Sequence, residues 1–153
     1  MLTKYTEETI GLLLVDGARL LRLQIDRAFE EAGLGLTAGE ARTLAYVALY
    51  PASRQTALAA QMNVEPMTLV IFLDRLESRG LIAREPDPTD RRAKIVQLAP
   101  DAQSTLKQIQ RITRQVQDGA LQDFHPEEVE MLRTLLKRMR ANLASREPGR
   151  GQA

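Results

Sequence analysis

The stretch LESRGLIAREPDPTDRRAKIVQLAP, Leu76 to Pro100, changes character twice in a short distance. It leaves a helix through Gly80, passes the apolar pair Leu81–Ile82, crosses a polar loop and resumes as alternating apolar residues. Leu81 to Arg84 and Ala93 to Leu98 have the length and patterning of two short strands, so a hairpin rather than a large sheet is expected. The loop between them holds Pro86, Pro88, Asp90, Arg91 and Arg92, which makes the hairpin a charged finger placed directly after a helix.

Upstream the chain reads as helices. Between Thr6 and Ala32, apolar residues recur at Ile10, Leu14, Ala18, Leu21, Ile25 and Ala28, the spacing of an amphipathic helix that "GLGL" closes. Thr37 followed three residues later by Glu40 is a capping box opening a second helix, which Pro51 stops. A short third helix, RQTALAAQM, turns Leu58, Ala59 and Met62 inward and breaks at Asn63. Pro66 suits the first turn of a fourth helix that runs to Arg79, with Gly80 at its C-terminal cap. Beyond the finger, Ala102, Leu106, Ile109, Val116 and Ala120 repeat at nearly heptad spacing, interrupted by Thr113. Val129, Leu132, Leu136, Met139 and Leu143 then keep a strict three-four pattern.

This order predicts a mainly α fold with a small β-hairpin wing (α+β), a winged helix-turn-helix with long N- and C-terminal dimerisation helices. The expected organisation is one domain over residues 1–145, with dimerisation helices at 6–32 and 101–145, a DNA-binding winged helix at 37–98 and a disordered tail at 146–153. The terminal helices carry more apolar stripe than so small a module needs, and a two-fold homodimer would use it.

Composition narrows the function. With no Cys and a single His, His125, neither disulfides nor a multi-His or thiolate metal site is expected, and no cofactor. The longest early aliphatic run, Ile10 to Val15, is too short to span a bilayer and follows Glu7 and Glu8, so a cytoplasmic protein without a membrane partner is expected. Catalysis is not expected either, because "HPEE" at His125 reads as a helix start and no nucleophile–base set accompanies it. With 21 Lys and Arg against 20 Asp and Glu, nucleic-acid binding has to come from charge sorted onto one face.

On a helical wheel of Pro66–Arg79, Leu69, Leu73 and Leu76 cluster with Phe72 as a core face. Met67, Ile71 and Ser78 centre the opposite face, flanked by Thr68, Asp74 and Arg75. In a helix-turn-helix that outward face enters the major groove. Thr68 and Arg75 then suit phosphate or base contacts, although a solvated face looks the same. Met67 and Ile71 either pack on a partner helix or meet thymine methyl groups. Within the finger, Arg91 and Arg92 suit a narrow minor groove, Asp90 can hold a guanidinium by a bidentate pair, and Lys94 and Arg84 at the base suit phosphates. A solvated turn with a local ion pair is the plainer reading of that loop. Arg54 and Gln55, opening the third helix, join the expected DNA contacts. From Val64 to Leu98 six basic residues face six acidic ones, so phosphate binding per subunit is expected to be moderate.

The segment VEPMTLVIFLDRLESRGLIAREPDPTDRRAKIVQLAPDA resembles the recognition helix and wing of MarR-type (multiple-antibiotic-resistance regulator) transcription factors. The "LDRLESRGLI" run, the "DPTDRR" wing with Asp90 and Arg92, and the "VQLAPDA" exit carry the resemblance. It extends over about Ile10 to Leu143. It implies an intertwined homodimer that binds palindromic double-stranded DNA, usually as a repressor, and in many members lets go when a small aromatic or phenolic anion binds. It also implies that Arg92 is the minor-groove arginine with Asp90 holding it. Ile71 departs from the polar or basic residue common at that place, and Ala99 from the usual capping Thr. Arg19, Arg22, Arg42 and Tyr46 are the residues expected to meet an anionic effector. The alternative is a winged-helix adaptor using Met67, Val70 and Ile71 to bind another protein, which predicts no salt-sensitive duplex binding.

Overall fold

The computed structural model describes residues 7–146. The expected helix start at Thr6 and the tail beyond residue 146 lie outside these. Among the described residues six helices and three strands follow in the order α1 (Ile10–Glu31), α2 (Ala38–Leu49), β1 (Ser53–Arg54), α3 (Gln55–Met62), α4 (Pro66–Ser78), β2 (Ile82–Pro86), β3 (Lys94–Leu98), α5 (Ala102–Ala120) and α6 (Pro126–Ala144). Contacts divide the chain into two units, one ending at Gln117 and the other starting at Asp118. No single helix among the described residues is long and apolar enough to cross a membrane.

Local chemistry sets most of the boundaries. Thr9 caps α1, accepting a hydrogen bond from the Leu12 amide at 3.2 Å, and Gly33 leaves the helix at φ 64°. At α2 the Thr37 hydroxyl accepts from the Glu40 amide (3.2 Å) while the Glu40 carboxylate accepts from the Thr37 amide (3.1 Å). The capping box read from the sequence is therefore present on both sides. Asn63 ends α3 in the left-handed region at φ 51°. After α4, Gly80 at φ 70° lets Leu81 N–H reach the Leu76 carbonyl (3.0 Å) and Gly80 N–H reach that of Glu77 (2.9 Å). This pair of bonds is a Schellman closure, and it turns the chain from helix into strand within two residues.

The β structure is larger than a hairpin. It is a three-stranded antiparallel sheet of order β1-β3-β2, with Ser53 opposite Val96 and Arg54 opposite Ile95. The sequence could not announce β1, because two residues carry no period. β2 also runs on to Pro86, paired with Lys94; a proline is tolerated at the end of an edge strand. β3 begins at Lys94 rather than Ala93 and is the central strand, so both Ile95 and Val96 are buried where simple alternation would bury one.

The core of the first unit gathers Phe29 from α1, Leu44 and Val47 from α2, Leu58 and Met62 from α3, and Leu69, Leu73 and Leu76 from α4. Val96 of β3 and Leu106 and Ile109 of α5 complete it. α6, in the second unit, buries none of its residues: Met131, Leu132, Leu135, Leu136 and Leu143 are all exposed. α1 likewise exposes Ile10, Leu12, Leu13 and Val15.

Candidate nucleic-acid interface

α4 is anchored on one side and free on the other. Leu69, Leu73 and Leu76 are buried, as the wheel predicts, Phe72 beside them is only half-buried, and Met67 is 74% and Ile71 50% exposed. The anchored side lies unusually close to α2: a Cβ added to Gly39 would sit 2.7 Å from Cε1 of the Phe72 ring. Glu40 ties the same two helices electrostatically. Its carboxylate is buried and accepts from Arg75 Nη1 at 3.2 Å in addition to closing the capping box. Arg75 is thus held against α2 by part of its guanidinium, although the side chain stays 57% exposed.

The wing loop between Pro86 and Lys94 is built on two aspartates. Asp87 Oδ1 accepts from the Thr89 amide and hydroxyl, both at 2.8 Å, and Asp87 Oδ2 accepts from Arg54 Nε at 2.5 Å. Arg54 Nη2 also reaches the Thr89 hydroxyl at 3.3 Å. These hydrogen bonds, led by those from Thr89 and joined by Arg54, hold the Asp87 carboxyl down at about 2, against an ordinary value of 3.8. Backbone bonds from Asp87 to Ala93, Asp90 to Asp87 and Ala93 to Asp90 close the loop.

Asp90 does something other than the sequence suggested. Its carboxylate accepts from the Arg92 backbone amide at 3.0 Å and pairs with no guanidinium among the described residues. A side chain two residues ahead of an amide closes an Asx turn more readily than it reaches a neighbouring arginine head. The guanidinium that is held in the wing belongs to Arg54, whose Nε is turned onto Asp87. The signal for Asp87 was present in "DPT", an aspartate two residues before a threonine. Its partner, 33 residues upstream, was not visible in sequence.

Arg84 is a second correction. Its Nη2 donates to Asp74 at 2.6 Å and to Glu77 at 2.5 Å, its Nε to Glu77 at 3.1 Å, and its side chain is only 16% exposed. The bond to Glu77 raises the Arg84 pKa further, and the same contact lowers that of Glu77. Arg84 therefore clamps β2 to α4 and is not available to a phosphate. Arg91, Arg92 and Lys94 are exposed and make no ion pair among the described residues. Arg54 takes up Asp87 and Arg84 takes up Asp74 and Glu77, so the cations that remain unpaired in the wing are Arg91, Arg92 and Lys94.

A helix with an apolar outer face, a glycine-closed turn into a short sheet, and a cation-tipped loop is a winged-helix arrangement. A MarR family model matches residues 36–94, the segment from just before α2 to the start of β3. The crystal structure of a transcriptional regulator, PA3341, is 32% identical over 90% of this chain and all of that one, with a TM-score of 0.74. The chain belongs to the MarR family. The crystal structure of MarR is 25% identical, covering 94% of this chain and 96% of that one at TM-score 0.77. That of the transcriptional regulator SlyA is 27% identical over 90% and 96% at TM-score 0.69. As a MarR-family winged-helix protein, this chain is a DNA-binding transcription regulator.

The remaining expected residues are dispersed over this MarR-family fold. Thr68 is exposed on α4, and Gln55 is half-buried with its side-chain oxygen buried and without a partner. Arg19 pairs with Asp16 on the exposed surface of α1, Arg42 pairs with Asp26 at 2.7 Å, and Tyr46 lies 6.0 Å from Tyr50, ring to ring. Arg22 is exposed on α1. None of these four lines the open cleft of about 770 Å³ between the end of α1 and α5, where Glu31, Leu34, Arg111, Ile112 and Val116 meet.

Proposed function

We propose that this protein is a repressor that binds a palindromic operator as a homodimer and releases it when a small aromatic or phenolic anion binds. The observation that carries the DNA part is the sorting of wing charge: Arg54 and Arg84 are internally paired while Arg91, Arg92 and Lys94 stand free. Exposed cations on a loop pre-shaped by Asp87 and Asp90 lose little freedom on meeting phosphates or a narrow minor groove. The open apolar faces of α1 and α6 support the homodimer, since each carries more leucine than a solvated helix retains. The cleft at Leu34, Ile112 and Val116 supports a small aromatic effector, having apolar walls and the volume of a small-molecule site. Arg111 is the cation that would meet an anionic group there, opposite the carboxylate of Glu31 in the same lining. Such a ligand would act by favouring a dimer geometry in which the two recognition helices no longer match half-sites about one helical turn apart.

Arg92→Ala tests the reading. In a gel-shift titration at fixed salt it lowers operator affinity by roughly tenfold, the loss of one charge-assisted contact, while the mass in size-exclusion light scattering stays that of the parent. Unchanged affinity removes the wing from the interface. The adaptor reading predicts no duplex shift at all.

A further inference from the structure

We infer that the protein reads its operator through thymine methyl groups, with Met67 and Ile71 as the residues that determine sequence specificity. The inference rests on the proposal above that the outer face of α4 meets duplex DNA. What singles it out is the inventory of α4, PMTLVIFLDRLES, which contains no Asn, Gln or Lys and one Arg. Bidentate reading of guanine needs Arg or Lys, and of adenine Asn or Gln. The single candidate within it, Arg75, is engaged by the buried Glu40 at 3.2 Å; Arg79 stands at the C-terminal cap, the end of the helix away from Met67, and Arg84 on β2 is engaged by Asp74 and Glu77. Asp74 is itself taken by Arg84, and the Ser78 hydroxyl donates to the Arg75 carbonyl at 2.8 Å. Hydrogen-bond readout from this helix is therefore reduced to Thr68 and to the part of the Arg75 guanidinium that Glu40 does not engage.

Met67 and Ile71, 74% and 50% exposed, stand one turn apart on the N-terminal half of the helix. In a helix-turn-helix that half approaches the base edges. Four residues advance about 6 Å along a helix axis, roughly two base steps of 3.4 Å. The only apolar group on the major-groove edge of a base pair is the C5 methyl of thymine. Two apolar side chains at that spacing fit thymines about two steps apart in each half-site. Duplex DNA is favoured over a protein groove as the occupant because the same unit carries the free cations Arg91, Arg92 and Lys94, which an apolar protein groove would not engage.

The test uses the full-length protein and a random-sequence duplex library. The enriched half-site is resynthesised with each thymine replaced in turn by deoxyuridine, which removes the methyl and nothing else. Burying one methyl contributes about 0.8 kcal/mol, close to fourfold in affinity. We expect losses of about that size at one or two thymines per half-site. Met67→Ala and Ile71→Ala, both at exposed positions, should each abolish the loss at one of them. Sequence-selective binding that no uracil substitution weakens overturns the inference alone. So does a loss of equal size in wild type and both variants. Failure of the library to yield any retained duplex overturns the DNA-binding proposal beneath it.

Discussion

Asp87 illustrates how much one side chain can organise. It is 8% exposed and receives hydrogen bonds from the Thr89 amide, the Thr89 hydroxyl and Arg54, all of which favour its ionised form. Because its folded pKa is depressed from 3.8 to about 2, the stabilisation is present in full above the unfolded value and fades as pH falls towards 2. The Thr89 amide resonance should therefore titrate with a midpoint near 2, and Asp87→Asn should remove that titration. A midpoint near 4 would mean the carboxylate is free in solution. In the sequence, the local half of this arrangement is legible as Asp-Pro-Thr, a turn signature. The Arg54 half is not, since contacts across 33 residues leave no trace in a single chain. The same blindness hid Asp74 and Glu77, the partners of Arg84, which the fold brings across from α4, while at Asp90 a local Asx turn on the Arg92 amide takes the carboxylate instead of a guanidinium. Residue type says what can pair, and only the fold says which partner is nearer.

At the scale of elements, boundaries were legible wherever they depend on neighbours in sequence. Thr37 with Glu40, Asn63, Pro66 and Gly80 each act within four residues, and each sits where its chemistry requires. β1 was missed for the opposite reason: Ser53 and Arg54 form a strand only because β3 lies beside them. The seat of α4 on α2 was also invisible, and it depends on Gly39. An alanine there gains up to about 1 kcal/mol of helix propensity but drives its methyl into the Phe72 ring, and such overpacking costs about 1–3 kcal/mol. The steric cost prevails because an added Cβ meets three atoms of a rigid ring at once, where the far end of a long flexible chain could swing aside. Gly39→Ala is accordingly expected to lower the thermal midpoint by roughly 2–8 °C in a calorimetric scan, whereas a rise would mean that Phe72 repacks freely.

For the whole molecule, the apolar period of α6 was readable from Val129 to Leu143 because heptad spacing is a property of the sequence alone. That no residue of α6 is buried within its own chain is consistent with that stripe seeking a second copy. The DNA-binding account then has a numerical consequence. Each wing offers three unpaired cations, Arg91, Arg92 and Lys94, so two wings on one duplex neutralise about six phosphates. Counterion release converts this to a slope of about −5 for log affinity against log salt; a single chain would give about −3. The decisive measurement is that slope, from fluorescence anisotropy on a selected duplex, for the parent and for a variant with alanine at positions 91, 92 and 94. The account predicts about −5 for the parent and a slope close to zero for the variant. A flat parent slope, or one that the three substitutions leave unchanged, would contradict it.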